Sequence, residues 1–484
     1  MLPWLFKNTN CLPGSAFFLI FVSAMALIKS ISGIRGTIGG SPGEGLTPLD
    51  LVKFSSAFAV WLQESGGRAG GSVVVGRDAR TSGEMVRQLV CGTLTGMGLD
   101  VADLGLATTP TVELAVETER AIGGIILTAS HNPGQWNALK LLDAKGEFIS
   151  AEAGKRILEL AEAEEFSYVP AERIGHFRML NDYAQKHIDR ILALELVHPD
   201  VIGKAGLKIV VDCVNSVGGI VLPALLRRLG VKEVVELHCT PDGLFPHNPE
   251  PLPENLVDLS TAVREQGADA GLAVDPDVDR LAIVDEHGEM FGEEFTLVAV
   301  ADYVLGKTPG NTVSNLSSTR ALRELTEKYG GKYYASPVGE VNVVHAMKKY
   351  EAVIGGEGNG GVIYPAMHYG RDALTGTALF LTHLALSGLP VSRLRERYPR
   401  YVISKNRLDL DPSVSIGRIL DRVAEHYKRF DLNREDGLKV DLPSGWIHLR
   451  RSNTEPIIRI YSEAPTAAEA DALAGEVMGL IRGD

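Results

Sequence analysis

The chain has 484 residues, 45% hydrophobic and 23% charged, with 52 glycines and 24 prolines. This is globular composition, long enough for three or four domains of about 100–150 residues each, and it excludes a fibrous or low-complexity chain. A net charge of −13 argues against nucleic acid or an anionic membrane as partner, and four scattered cysteines without a CxxC pair argue against a disulfide framework or a zinc site and fit a reducing cytoplasm.

At the N-terminus, Lys7 precedes an apolar run, Ala16–Val22, and Ala24-Met25-Ala26 has the small residues of a cleavage site, so a signal peptide is one reading. The run is too short to cross a bilayer as a helix. Residues 26–30 have the pattern of a first strand, which cleavage would trim. Met25 is therefore read as the natural start, and residues 1–24 as a non-native extension translated from an upstream start.

Downstream, short β runs alternate with amphipathic helices, which predicts α/β units. Apolar positions at Leu49, Val52, Ala57, Val60 and Trp61 predict a helix over 48–63. Val73–Val75 reads as a buried strand, 84–97 as a helix, and Ile122–Leu127 as a strand that runs into Thr128-Ala129-Ser130-His131-Asn132-Pro133. In that loop a serine hydroxyl is held out among donors, which suits a group that carries a phosphoryl. The plainer alternative is a strand exit whose Ser130 and Asn132 cap backbone groups. His131 reads as a loop hydrogen-bonding group rather than a metal ligand, since no second histidine has ligand spacing. Lys140 could reach back to the loop, and Arg35 lies between glycines in Ser32-Gly33-Ile34-Arg35-Gly36-Thr37.

The charged stretch 161–173 reads as a solvated boundary. A second unit follows a helix near 180–194: strand 207–211, helix 218–229, strand 234–237, helix 254–266 and strand 270–274. The loop after it, Asp275-Pro276-Asp277-Val278-Asp279-Arg280, puts three carboxylates at alternate positions, able to converge on one hard divalent cation, with Mg2+ favoured. An EF-hand would need glycine where Arg280 stands, and a solvated acidic turn would crowd like charges. Arg280 is placed to meet a substrate anion.

A third unit has a strand at 281–284, helices near 293–305, 319–329 and 340–350, a strand at 352–354 and an apolar helix near 372–388. Its loop Gly355-Gly356-Glu357-Gly358-Asn359-Gly360-Gly361 holds a formal GxGxxG, but Val362-Ile363-Tyr364-Pro365 follows as strand and break, not as the helix a dinucleotide site requires. It reads instead as a loop offering Glu357 and Asn359 to a polyol, with a plain glycine turn as the alternative. The last unit has strands near 401–409, 437–450 and 457–462, a helix near 414–429 and a final helix, a small α+β domain. Arg450-Arg451-Ser452-Asn453-Thr454-Glu455-Pro456, with Arg459, has the residue types of a phosphate cradle; a charged surface turn is the alternative. The units are read as 25–172, 173–270, 271–389 and 390–484.

SGIRGT, TASHNP, DPDVDR, GEGNGG and RSNTEP, in this order, resemble the active-site segments of the α-D-phosphohexomutase family, from about residue 26 to the C-terminus. The resemblance implies three α/β domains with mixed sheets and a C-terminal α+β domain around a central cleft. It implies that Ser130 is the phosphoserine, that Asp275, Asp277 and Asp279 hold Mg2+ together with the Ser130 phosphate, and that Glu357 grips sugar hydroxyls. Arg450, Ser452, Asn453 and Thr454 would clamp the non-reacting phosphate, while Arg35, Lys140 and Arg280 would stabilise the phosphoryl in transit. The expected reaction moves phosphate between O6 and O1 of a hexose through a hexose 1,6-bisphosphate, with Lys140 as the candidate for proton transfer. Many members have GExSGH in the sugar loop; this chain has Asn359 and Gly361 in place of the serine and histidine. Asn359 resembles the asparagine-containing loops of amino-sugar mutases, which favours glucosamine 6-phosphate; mannose and glucose phosphates are the alternatives. A cytoplasmic monomer or homodimer acting on a small hexose phosphate is expected. A sugar-phosphate-binding protein without turnover is the reading from another class, disfavoured by the intact Ser130 and aspartates. A serine hydrolase is excluded because no GxSxG surrounds Ser130.

Overall fold

The structure, a computed structural model, describes residues 26–30, 33–66, 71–409, 415–451 and 457–482. The expected extension, residues 1–24, lies outside the described residues, as do Ser452, Asn453 and Thr454. Four sheets follow one another along the described chain. The first has seven strands in the order Leu27–Ser30, Gly33–Thr37, Trp136–Leu142, Gly123–Leu127, Ser72–Arg77, Asp100–Leu106 and Phe177–Met179. Its inner strands run parallel, and Trp136–Leu142 and Gly33–Thr37 join antiparallel. The sheet is thus mixed, with Ser130 on the connection where the direction reverses. The register sets Lys140 opposite Ile126 and Arg35 opposite Ala138, so both cations ride on strands beside the serine loop.

In the second sheet, Ala270–Val274 lies parallel to Lys208–Asp212 and antiparallel to Leu281–Val284. The aspartate loop is therefore a hairpin turn within one sheet. This corrects the expected break at 270/271, because the pairing of the two strands holds both in the second unit. Likewise Phe177–Met179 pairs with Asp100–Leu106, so the first sheet reaches past residue 172. The third sheet orders Tyr333–Ser336, Asn311–Asn315, Ala352–Glu357 and Gly361–Ile363, the last pair antiparallel. The fourth is a five-stranded antiparallel sheet; the run expected over 437–450 is a hairpin of Leu438–Leu442 and Gly445–Arg451.

Side-chain caps fix two helix starts. Thr108 caps Thr109–Thr118 by accepting from the Thr111 amide, and Asp372 caps Ala373–Ser387 by accepting from Leu374 and Thr375. The second of these helices is apolar all round and packs on Glu293–Lys307 and Pro199–Ala205, in a core shared by the second and third units. The fourth unit has its own core, with Val423, Val440, Leu449, Ile460 and Val477. Among the described residues no helix is long and apolar enough to cross a membrane.

Candidate active site

A cavity of about 530 Å3 opens where the four units meet. Its wall takes Arg35, Ser130 and Lys140 from the first unit and Arg280 from the second. The third contributes Glu357 and Asn359, and the fourth Arg450 and Arg459. That volume suits a sugar phosphate.

Ser130 is 7% exposed and adopts φ 49°, a left-handed conformation uncommon outside glycine. Its amide donates to Thr128 Oγ1 (2.9 Å), which donates to Asp78 (2.6 Å). Arg80, 1% exposed, fastens the same loop from below. Its guanidinium donates to the carbonyls of Ser130 (2.5 Å), Asn132 (2.5 Å), Pro133 (2.6 Å) and Trp136 (3.0 Å), and to Asp78 (3.0 Å). So held, Ser130 Oγ donates to Asp275 Oδ2 at 2.8 Å and lies 3.5 Å from His131 Nδ1.

Asp275, Asp277 and Asp279 are fully buried, and their ligand atoms lie within 4.8 Å of one another. Between them Val278, at φ 62°, takes a left-handed turn that a β-branched residue rarely adopts; its side chain is buried in the core. Asp275 Oδ1 accepts from the amides of Asp279 (3.1 Å) and Arg280 (3.2 Å). Asp277 Oδ2 accepts from Thr109 (2.6 Å) and Lys140 (2.6 Å), and Asp279 Oδ2 from Arg371 (2.6 Å). The other oxygens, Asp277 Oδ1 and Asp279 Oδ1, are buried with no hydrogen-bond partner. Burial and the neighbouring charges of Asp279 and Asp277 push the Asp275 carboxyl well up. Burial also acts to raise Asp277, but the Lys140 charge and the hydrogen bonds from Lys140 and Thr109 outweigh it and hold Asp277 low. An all-oxygen cluster with two unpartnered buried carboxylate oxygens fits a hard divalent cation such as Mg2+.

Burial acts to lower Lys140, but Asp277 and Asp279 overcome it and hold the lysine above its ordinary range. A lysine base needs the opposite shift, so proton transfer by Lys140 would require the aspartate charges that raise it to be offset, as a bound cation would do. His131 is shifted well down, first by the Arg280 charge and then by burial, and is neutral. Arg35 is lowered by burial and by Arg280.

Glu357 ends its strand, 4% exposed. Oε1 accepts from Asn315 (2.8 Å) and the Gly339 amide (3.2 Å), and Oε2 from Arg371 (2.7 Å). Burial would raise its pKa, but Arg371, Asn315, Arg280 and the Gly339 amide together outweigh it, so Glu357 is a carboxylate acceptor. Asn359 Oδ1 accepts from the Gly361 amide at 3.2 Å, closing the turn. A Cβ on Gly361 would sit 2.4 Å from Arg371 Cδ. Arg371 thus fills the space that a side chain at position 361 would need.

Arg450 pairs across the fourth sheet with Arg459, and its Nε is buried without a hydrogen-bond partner. Lys405 lines the same end of the cavity, 2.5 Å from Glu293. Sequence reasoning missed Arg80, Thr109, Asn315, Arg371 and Lys405, each a single polar residue outside the glycine-rich loops.

Comparison with known proteins gives the class that this architecture defines. Four signatures described as phosphoglucomutase/phosphomannomutase match in order: alpha/beta/alpha domain I over residues 27–168, domain II over 185–288, domain III over 293–401 and the C-terminal domain over 414–480. The enzyme is a phosphohexomutase, an isomerase that acts by phosphoryl transfer. It is 37% identical over 90% of its length to a phosphoglucomutase/phosphomannomutase of Thermococcus kodakarensis, of which 95% is covered. It is 30% identical over 95% of its length to a phosphoglucosamine/phosphogalactosamine mutase of Sulfurisphaera tokodaii, covered in full at 100%. A crystal structure of a phosphoglucomutase/phosphomannomutase family protein from Burkholderia thailandensis superposes with a TM-score of 0.81 at 27% identity, covering 93% of this chain and 96% of that one. The chain belongs to the phosphoglucomutase/phosphomannomutase family.

Proposed function

We propose that the enzyme interconverts glucosamine 6-phosphate and glucosamine 1-phosphate through a phosphorylated Ser130 and a hexose 1,6-bisphosphate intermediate. The carrying observation is Ser130 Oγ, 2.8 Å from Asp275 in the wall of a cavity that the cations also line. In this reading, phospho-Ser130 gives its phosphoryl to the free hydroxyl of the bound monophosphate. The bisphosphate turns over in the cavity and returns its other phosphoryl to Ser130. Asp275, Asp277 and Asp279 would hold Mg2+, which when bound offsets charge on the phosphoryl oxygens. Arg35, Lys140 and Arg280 add positive charge around the same oxygens, Lys140 would be the group for proton transfer once a cation offsets the aspartates that raise it, and His131 lies in hydrogen-bonding reach of Ser130 Oγ.

The far phosphate would be gripped by Arg450 and Arg459, which line the cavity with Lys405, and by Ser452, Asn453 and Thr454. This remote binding positions the reacting hydroxyl. Glu357, ionised and facing the cavity, would accept sugar hydroxyls, and Asn359 beside it can both donate and accept. The asparagine and the amino-sugar mutase from Sulfurisphaera support glucosamine phosphate. The Thermococcus relative supports the second reading, a phosphomannomutase/phosphoglucomutase. The free state of the described cysteines fits a reducing cytoplasm. kcat/KM for glucosamine, mannose and glucose 6-phosphates, each with its bisphosphate primer, tests the assignment. It stands if glucosamine 6-phosphate leads by about tenfold or more and fails if either neutral sugar leads.

A further inference from the structure

We propose that Asp212, His238 and His247 form a second metal site, built for a transition ion of the Zn2+ type. The three residues are distant in sequence and come together at the ends of neighbouring strands. Asp212 closes Lys208–Asp212, His238 follows the parallel strand Glu233–Leu237, and His247 comes from the loop beyond. One ligand atom from each lies within 4.8 Å of the others.

His247 Nε2 is already 3.1 Å from Asp212 Oδ2. Its Nδ1 is taken by the Asn248 carbonyl at 2.8 Å, which fixes the ring with Nε2 turned to the cluster. A backbone carbonyl on the far nitrogen is the usual support of a metal-binding imidazole. Asp212 is 1% exposed, and its Oδ1 is occupied by the Val214 amide (2.9 Å), which leaves Oδ2 to face the histidines. Asp258, 3.3 Å from His238 Nε2, can complete the set or orient that ring.

The backbone around the cluster is strained. Val214, Asn215 and His238 all have positive φ (45°, 52° and 50°), and the Asn215 amide donates to the His238 carbonyl at 2.7 Å. Such a cost persists where the surroundings fix a geometry. The donor set separates this site from the aspartate triad. Two imidazoles and a carboxylate suit Zn2+ or Co2+, whereas three carboxylates suit Mg2+. The loop that the site would pin, residues 240–250, carries Phe245 over the Arg80 guanidinium at 5.1 Å and Glu250 at 3.6 Å from Arg280. A metal here would steady one rim of the active-site cleft.

The test is a Co2+ titration of the metal-stripped full-length enzyme in saturating Mg2+, followed by visible d–d absorption, with Zn2+ as competitor. One equivalent of Co2+ should give imidazole-type bands that Zn2+ abolishes. The bands should vanish in His247→Ala and in His238→Asn, which tolerates the left-handed backbone, while circular dichroism stays native. They should persist in Asp277→Asn. Absence of bands in the wild type overturns the proposal. So does their survival in the correctly folded His238→Asn variant, or their loss in Asp277→Asn, which would put the cobalt in the triad.

Discussion

Arg80 lies beneath the Ser130 loop and donates to the backbone carbonyls of Ser130, Asn132, Pro133 and Trp136. A methionine there would leave those carbonyls and the buried Asp78 carboxylate without their cation. Arg80→Met should cost about 3–5 kcal/mol in urea unfolding, with the lost activity exceeding what the unfolded fraction explains. Asp277→Asn keeps the shape of the loop but weakens its hold on a cation. It should raise the Mg2+ concentration for half-maximal turnover and lower kcat by about 100-fold, as read by a Mg2+ titration of the rate. Ser130 and the three aspartates were legible in sequence because loop polarity and spacing advertise them. Arg80 and Arg371 were not, since Ser130 lies 50 residues from Arg80 and Asp279 lies 92 from Arg371, and only the fold brings them together. The ion pair of Lys140 with Asp277 was likewise hidden, as Asp277 stands 137 residues further on.

At the level of elements, Arg371 sits just ahead of the Asp372-capped helix and ties the sugar loop to the metal loop. It donates to Glu357 (2.7 Å), Asp279 (2.6 Å) and Glu340 (3.1 Å). Lysine cannot span three carboxylates with one ammonium group. Arg371→Lys should raise both the KM for hexose phosphate and the Mg2+ requirement, each by about 10–100-fold, in steady-state kinetics. A change in only one of the two would argue that Arg371 serves a single loop. Helices with a clear apolar stripe, such as Pro48–Glu64, were legible from sequence. The strand Trp136–Leu142 was not, because Asn137 and Lys140 interrupt its apolar pattern and it draws its identity from its neighbours in the sheet. The unit boundaries near 172 and 270 were displaced because edge pairing, invisible to local pattern, holds Phe177–Met179 and Leu281–Val284 in the preceding sheets.

Across the whole molecule, the fourth unit docks on the third through polar contacts. Ser317 meets His448 Nδ1 at 2.8 Å, the Arg320 amide donates to Glu463 at 3.1 Å, and Asp436 accepts from Val338 at 3.0 Å. Burial takes His448 down to about 4, so it is neutral in the docked state. The unfolded or undocked histidine binds a proton below about 6.5, so His448 costs stability progressively as pH falls from there toward 4. Glu463, raised by burial to about 7, acts in the opposite sense over the same interval. The histidine contribution is therefore visible as a difference. The Tm of wild type minus that of His448→Asn should fall as pH is lowered from about 7 to 4.5; a constant difference would contradict the burial assignment. A polar, titratable seam of this kind suits a unit that would have to release the far end of the bisphosphate in the proposed mechanism. The most direct test of the whole account is mass-spectrometric localisation of the phosphoryl group after incubation with a hexose 1,6-bisphosphate, followed by a chase with hexose monophosphate. The account predicts one phosphoryl, on Ser130, lost to the sugar in the chase, and a folded Ser130→Ala enzyme about 1000-fold or more slower. A phosphoryl on another residue, or wild-type turnover by Ser130→Ala, would contradict it.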